Sequence, residues 1–431
     1  MKLMNEFQFK DIMNGFYDGP HATPDPSDEG PIFLGIKNIF EDGGIDFSEI
    51  RHISENEYQK WTKRVVPAKN DLVFSYEATL HRYALIPEGF RGCLGRRMAL
   101  IRVNPAFVSE KYLYYYFLSS YWRAFIETVK ISGATVDRIS ISEFPNYKIS
   151  LPNLSTQRKI ASILSAYDEL IDNNNQRIRL LEEMAEEIYK EWFVRLRFPG
   201  YKTTKIVDGL PEGWKWIKVD EFFKTSSGGT PSREKEVDYF GGEIDWIKTG
   251  ELKDSFVFDS SEKITEVGLK NSSAKMFPPN TLLMAMYGVN IGQLGISVTN
   301  AAANQAVCVF TPMKPDEYSL YYSFFFFKSI RTHLFNISMG AAQQNLSQDL
   351  IKKVNYFSPF CEVINKYDSI VKPFFEEIKI LSQKNQLLQQ TRDLLLPRLV
   401  SGKLSVEHLV EEDEAGLSLA AEPEVNYQAI K

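Results

Sequence analysis

The sequence predicts a mixed α+β protein (α/β mixed), with two pseudo-symmetric globular units separated by a two-helix antiparallel coiled coil. Two observations predict it, an internal repeat and a matched pair of heptad seams. In the repeat, Thr23-Pro24 returns as Thr230-Pro231 at an offset of 207, and Ile36-Lys37 as Ile247-Lys248 at 211. "VPAKNDLVFSY" returns as "FPPNTLLMAMY" at 211 and "MALIRVNP" as "AVCVFTP" at 207. Gly133-Ala134 and Gly340-Ala341 continue the series at 207, and "YDELIDNNNQRIRLL" returns as "YDSIVKPFFEEIKIL" at 200. Any one match is within chance, whereas their shared order and spacing are not. The drift from 207 to 200 removes seven residues, or two helical turns, which leaves the apolar face of a helix pointing the same way.

Within each half the elements follow in one order. Short β-rich runs such as "GPIFLGIKNI" and "DLVFSYEATL" are broken by Gly and Pro, "MALIRV" follows, and then an aromatic helix at 109–129 or 315–337. A glycine loop and a long helix close each half. Between the halves, "RFPGYKTTKIVDGLPEGWKW" has the Gly and Pro content of a linker. The resulting division is 1–154 for the first globular domain, 155–196 for the first long helix, and 197–360 for the linker and second domain. Residues 361–400 form the second long helix and 401–431 an acidic, disordered tail.

The long helices carry the second observation. Leu164, Ile171, Ile178, Ala185 and Trp192 fall at heptad positions a, with Ile160, Tyr167, Asn174, Leu181 and Ile188 at d. The second helix repeats the phase, with Ile364, Val371, Ile378, Asn385 and Arg392 at a and Tyr367, Phe374, Leu381, Leu388 and Leu395 at d. Each seam holds one central Asn, and an unpaired buried amide costs ~1–3 kcal/mol, so the two should meet. Setting Asn174 against Asn385 in antiparallel sense puts Ile178 on Leu381, Leu181 on Ile378, Ala185 on Phe374 and Trp192 on Tyr367. About 30 paired residues at ~1.5 Å rise would make a rod of ~45 Å. Ile163, Leu170 and Met184 on the first helix, and Leu387 and Leu394 on the second, have no partner in a two-helix rod. They either pack on their own globular halves or receive helices of another protein.

Composition narrows the function. With 44% hydrophobic and 25% charged residues the chain has a globular balance. No window approaches ~18 uncharged apolar residues and the N-terminus has no signal-peptide core, so a cytoplasmic protein with no membrane contact is expected. Cys93, Cys308 and Cys361 are scattered without metal or disulfide spacing. From Glu407 onward seven acidic residues face Lys431 alone, which accounts for the whole net charge of −6 and leaves the body neutral. There is no GxxxxGK[ST], HExxH or GxSxG, and no Asn/Asp-Pro-Pro-aromatic motif of amino-methyltransferases. The five histidines (His21, His52, His81, His333, His408) are dispersed. A catalytic centre or a metal site is not expected.

"LPEGWKWIKVDEFF", "SGGTPSR", "STQRKIASILSAYDELI", "EEMAEEIYKEWF" and the ending "LLLPRLVSGKL" together resemble the specificity (HsdS-type) subunit of type I restriction-modification enzymes, over residues 7–406 or so. The first half departs from the pattern by having Pro20-His21-Ala22 before Thr23 where the second has Gly228-Gly229. The resemblance implies two target recognition domains that read an asymmetric, two-part site in double-stranded DNA, with the helices as a ruler between them. It also implies two methyltransferase subunits docked on the helices, through Ile163, Leu170, Met184, Leu387 and Leu394, and restriction/translocase subunits outside them. S-adenosylmethionine, ATP and Mg would then be bound by those partners, with no cofactor in this chain. The competing reading is a structural adaptor whose two α/β units bind proteins.

DNA contacts need Lys and Arg for phosphates, and Arg, Asn, Gln, Ser or Thr for base edges. In the first half Arg82, Arg91, Arg96 and Arg97 gather around glycines. In the second, Thr230, Ser232, Arg233 and Lys235 lie in a glycine turn, and Tyr287, Asn290 and Gln293 in "MYGVNIGQLG". Tight-turn chemistry is the alternative for "GVNIG". Asn304-Gln305 and "AAQQNLS" (Gln343, Gln344, Asn345) are further polar candidates, the latter also suited to capping a helix near Ser347.

Overall fold

The computed structural model describes residues 4–133, 136–339, 345–407 and 409. Ala134, Gly340-Ala341, Gln343, Gln344, His408 and the acidic tail from residue 410 lie outside the described residues. The chain divides into two compact units, residues 1–171 with 387–431, and residues 172–386. The first long helix divides evenly between the units at residues 171 and 172, whereas the second gives 361–386 to the second unit and the shorter stretch 387–400 to the first.

In the first unit a four-stranded sheet is built from β1 (Met13–Asp18), β3 (Leu72–Ser75), β4 (Tyr83–Leu85) and β6 (Met98–Val103) in the order β1-β6-β3-β4, all antiparallel. A smaller sheet pairs β2 (Ser27–Leu34) in parallel with β5 (Gly92–Leu94). Leu72, Phe74, Ala99 and Ile101 face one side of the main sheet, where α1 (Glu110–Leu118) and α2 (Ser120–Val129) bring Tyr112, Phe117, Trp122 and Ile126. The alternation of Val73 and Leu100 to the opposite core follows from the period-2 geometry of a strand. A ribbon of Asn5–Gln8 against Lys148–Leu151 closes the unit. It leads into α3 (Leu154–Tyr189), whose Ile160, Ala161 and Leu164 join the same core.

The second unit repeats this plan. β7 (Phe223–Ser227), β9 (Ser255–Val257), β10 (Leu282–Ala285), β11 (Leu294–Ser297) and β13 (Val307–Pro312) form a sheet in the order β7-β13-β10-β11-β9. β8 (Phe240–Ile247) pairs in parallel with β12 (Ala301–Ala303) as β2 does with β5. The helix α4 (Leu320–Ser329) buries four consecutive phenylalanines, Phe324 to Phe327, and is followed by α5 (Arg331–Met339). The closing ribbon is Lys215–Lys218 against Asn355–Ser358, after which α6 (Cys361–Val400) begins.

The helices pair in antiparallel sense in each unit, as the heptad registers require. In the second unit the Asn174 amide donates to Asn385 Oδ1 at 2.8 Å, Arg177 meets Glu377 at 2.7 Å, and the rings of Trp192 and Tyr367 lie 5.9 Å apart. A residue the register did not single out completes the centre, because Asn385 donates onward to Asn175 Oδ1 at 2.8 Å. Leu381 and Ile378 are buried and Ile178 and Leu181 half-buried. The first helix ends in one π-turn, Lys190–Val194, closed by Arg195 N–H on Lys190 O at 2.8 Å. The wider turn lets the adjacent Trp192 and Phe193 both face inward.

The repeated Tyr-Asp pair shows how one frame carries two electrostatic solutions. In the first unit Asp168 accepts from Tyr115 Oη and pairs with Arg392, each at 2.5 Å. In the second unit the position matching Arg392 is Trp192, and among the described residues the Ser319 hydroxyl, at 2.5 Å, is the one hydrogen-bond donor to Asp368. Burial therefore pushes the Asp368 carboxyl up to about 6, against the opposing effects of Ser319 and Lys372. An acid raised in the folded state stabilises the fold at low pH, and that stabilisation is lost as pH rises through about 6. Asp368→Asn is therefore expected to leave stability unchanged at pH 4 and raise it by ~1–2 kcal/mol at pH 8. Urea unfolding at the two pH values measures this, and an equal effect at both would refute it.

Candidate nucleic-acid interface

One edge of each main sheet collects the polar loops. In the first unit Asp18 stands against Ala99, and Ser75 against Met98, so the loops after β1, after β3 and before β6 all leave together. In the second unit Ser227 stands against Cys308 and Ala285 against Val307, which gathers the loops after β7, after β10 and before β13 in the same way. The close approach of these loops depends on glycine. A Cβ on Gly228 would come within 2.0 Å of Ala303 O, and one on Gly19 within 2.2 Å of Gly95 O. Gly19 thus takes the role of Gly228, and the missing glycine of the first copy is only the second of the pair.

At the first unit's edge the structure brings Arg82, Arg96 and Arg97 together. Tyr76 N–H donates to Arg97 O at 3.0 Å and Ser75 N–H to Arg82 O at 3.1 Å. Arg97 lies 3.0 Å from Glu77, Arg82 is 3.7 Å from Glu41, and Arg96 is exposed without an ion pair among the described residues. Arg138, which the sequence reading passed over, joins them, because its short strand bridges Glu77. Ala78, His81 and Arg97 all hold positive φ (71°, 64° and 71°), a cost that non-glycine residues bear mainly at functional loops.

Arg91 does not join this group. It precedes β5 whereas Arg96 follows it, so a three-residue strand sends the two to opposite ends. There Arg91 forms a two-pronged pair with Glu55, at 2.7 and 2.6 Å, and its hydrogen bonds hold the Glu55 carboxyl below the ordinary range.

In the second unit Thr230 donates its hydroxyl to Gln305, which ties the loop after β7 to the loop before β13. Met286 N–H donates to Ala306 O, and Leu346 N–H to Met286 O, so Tyr287 and Asn345 adjoin the same edge. Ser232 and Lys235 are exposed, with the Lys235 ammonium 5.7 Å from the Tyr239 ring centre. Gln293 is half-buried beside β10, its carbonyl bonded to Ala285. Two candidates are engaged internally. Arg233 pairs with Glu236 and Glu262 and lies 4.0 Å over the Phe240 ring, while Lys248 and Arg233 hold the Glu262 carboxyl below its usual range. Asn290 turns its amide inward to Thr249 O at 3.4 Å, as the tight-turn reading of "GVNIG" expects.

On the helices Leu170, Met184, Leu387 and Leu394 are exposed. Ile163 is half-buried against the first unit's core, because it shares a helical face with Ile160 and Leu164, and so is spent within its own unit. Among the described residues no group of three His, Cys, Asp or Glu could hold a metal ion, and no helix is long and apolar enough to cross a membrane.

Comparison with known proteins decides between a DNA-reading and a protein-binding role for the chain. Residues 28–183 and 211–390 each match the family model described as type I restriction modification DNA specificity domain. The chain belongs to that family. A Methanocaldococcus jannaschii relative, the type I restriction enzyme MjaIX specificity subunit, is 24% identical over 373 residues, covering 83% of each chain. The HindI specificity subunit of Haemophilus influenzae is 21% identical over 372 residues, covering 72% of this chain and 80% of that one. Among solved structures, the S subunit of a type I system from M. genitalium superposes with a TM-score of 0.60 at 16% identity, covering 93% of this chain and 96% of that one, which shows a common fold. As a member of this family the chain is a DNA specificity subunit of a type I restriction-modification complex, a recognition component and not a catalytic one. The protein-binding adaptor is not favoured.

Proposed function

We propose that each unit reads one half of an asymmetric two-part target in double-stranded DNA through the sheet edge described above. The observation that carries this reading is that both copies of the domain send the same three loops from the same edge, with different side chains on each. In the first unit Arg82, Arg96 and Arg97 supply positive charge for phosphates or guanine edges. In the second Thr230, Ser232, Lys235, Tyr287 and Gln293 supply a mainly neutral, hydrogen-bonding surface, with Gln305 added. Arg91, Arg233 and Asn290 serve instead as internal braces. Two methyltransferase subunits dock on the exposed leucines and methionine of the helices, and restriction/translocase subunits join them. S-adenosylmethionine, ATP and Mg belong to those partners, in the cytoplasm.

Methylome sequencing of cells that express this chain with its methyltransferase tests the reading. A single bipartite motif with an unread spacer is expected, and an active complex that marks no such motif would overturn it. Arg96→Ala is expected to lower the slope of log affinity against log salt by ~0.9 while leaving the motif unchanged, the signature of one lost phosphate contact. An unaltered slope would remove Arg96 from the interface.

A further inference from the structure

We infer that Val289 is a specificity-determining residue of the second unit, its methyl groups reading the C5-methyl of a thymine in the major groove. The inference rests on the reading of the second unit's edge as a DNA interface. Val289 is 99% exposed. It stands between Tyr287 and Asn290 in the loop that joins β10 to β11, on the edge that also carries Thr230 and Gln305.

The loop that presents it is braced on every side. Gly288 and Gly292 turn the chain with φ of 74° and 78°, and Ile291 and Gln293 close the turn through Gly288 O and Asn290 O. Gly292 N–H donates to Ala285 O at 2.9 Å, and Arg331 Nε donates to Gly292 O at 2.9 Å. The Arg331 guanidinium is itself held by Asp254, whose carboxylate also accepts from Leu294 N–H at 2.9 Å. A valine has few rotamers, so the projecting surface is fixed in shape before any ligand arrives. The Asn290 amide turns inward to Thr249 O, so the side chain that projects furthest from the turn is the Val289 isopropyl group, which carries methyls and no polar atom.

Among the edges that bases present in the major groove, only thymine offers an apolar group, and a methyl contact is the readout that small apolar side chains make there. Phosphates offer no apolar surface, and the C–H groups of the sugars are the same at every base, so contact with them cannot specify a sequence. Minor-groove wedges are larger side chains driven between base steps. The matching position of the first unit is Ala78, half-buried with its N–H bonded to Asp137 O, so the thymine preference belongs to one half-site only.

The test uses the complex with its methyltransferase and its own methylated motif. Replacing each thymine of one half-site by deoxyuridine removes a methyl group and nothing else. Deoxyuridine at one position of the second unit's half is expected to weaken binding of the unaltered protein about four-fold, the worth of one buried methyl. Val289→Ser is expected to bind the thymine and deoxyuridine targets alike and to keep the melting temperature of the parent protein. Tight, motif-specific binding that ignores deoxyuridine throughout that half, a half-site without thymine, or retained discrimination in Val289→Ser would each overturn the inference while leaving DNA reading intact. Loss of any bipartite motif would instead strike the function proposed above.

Discussion

Arg392→Met is expected to lower stability by ~2–3 kcal/mol, and Arg392→Met with Asp168→Asn to recover most of the loss. Arg392 is 12% exposed and Asp168 28%, so the carboxylate depends on the guanidinium more than on water for compensation. Methionine keeps the aliphatic contacts of the arginine stem, which isolates the charge from the packing. The Tyr115 hydroxyl remains on Asp168 in the variant, and one neutral donor does not replace an ion pair. Removing both charges leaves a neutral amide that Tyr115 still satisfies, which is why the double variant recovers. The second unit indicates that the frame tolerates this, because Trp192 stands where Arg392 does and Asp368 has no ion pair among the described residues, only the Ser319 hydroxyl and the more distant charge of Lys372. Urea unfolding at neutral pH measures both variants. A single-variant loss below ~0.5 kcal/mol would mean that the pair is screened and idle.

Much of the fold was legible because repetition is redundant evidence. Ordered matches define two units, and a lone amide in each apolar seam fixes the register that Asn174 and Asn385 adopt. Asn175 was not legible, since an exposed neighbour of a seam residue has no periodic signature. Nor was the tolerance of Pro373 and Pro397 within α6, where packing along the seam carries the helix past residues that cannot donate a backbone hydrogen bond. The candidate interface was half legible. Arginines close in sequence were read as one cluster, but Arg91 and Arg96 flank a strand and part company, whereas Arg138 reaches the edge through a backbone bridge. Arg233 and Asn290 have the right chemistry for DNA and spend it on Glu262 and Thr249, partners distant in sequence. Val289 carries no signal in the sequence, because an aliphatic residue has neither the charge nor the hydrogen-bonding groups that mark a DNA contact. Only its exposure distinguishes it from the valines of the core.

Leu387→Glu with Leu394→Glu is expected to abolish co-purification of the methyltransferase, weakening its binding by roughly three orders of magnitude, while the melting temperature stays at that of the parent. The two leucines lie one heptad apart on α6, and they are 57% and 64% exposed. Neither contributes to the seam, so a charge there costs the free chain little. Each would bury its side chain under a docked helix for ~2 kcal/mol, and a glutamate adds the penalty of a desolvated carboxylate. Two leucines on one stripe are also what distinguishes a docking site from scattered surface apolar residues, which are common and carry no meaning singly. Arg96→Ala serves as the control, because a change at the sheet edge should reduce DNA affinity with the methyltransferase still bound. Serine at both leucine positions gives a milder version should the glutamates disturb the helix. Stoichiometric co-purification of the serine and glutamate variants alike would place the methyltransferase elsewhere on the chain and leave this stripe without a function.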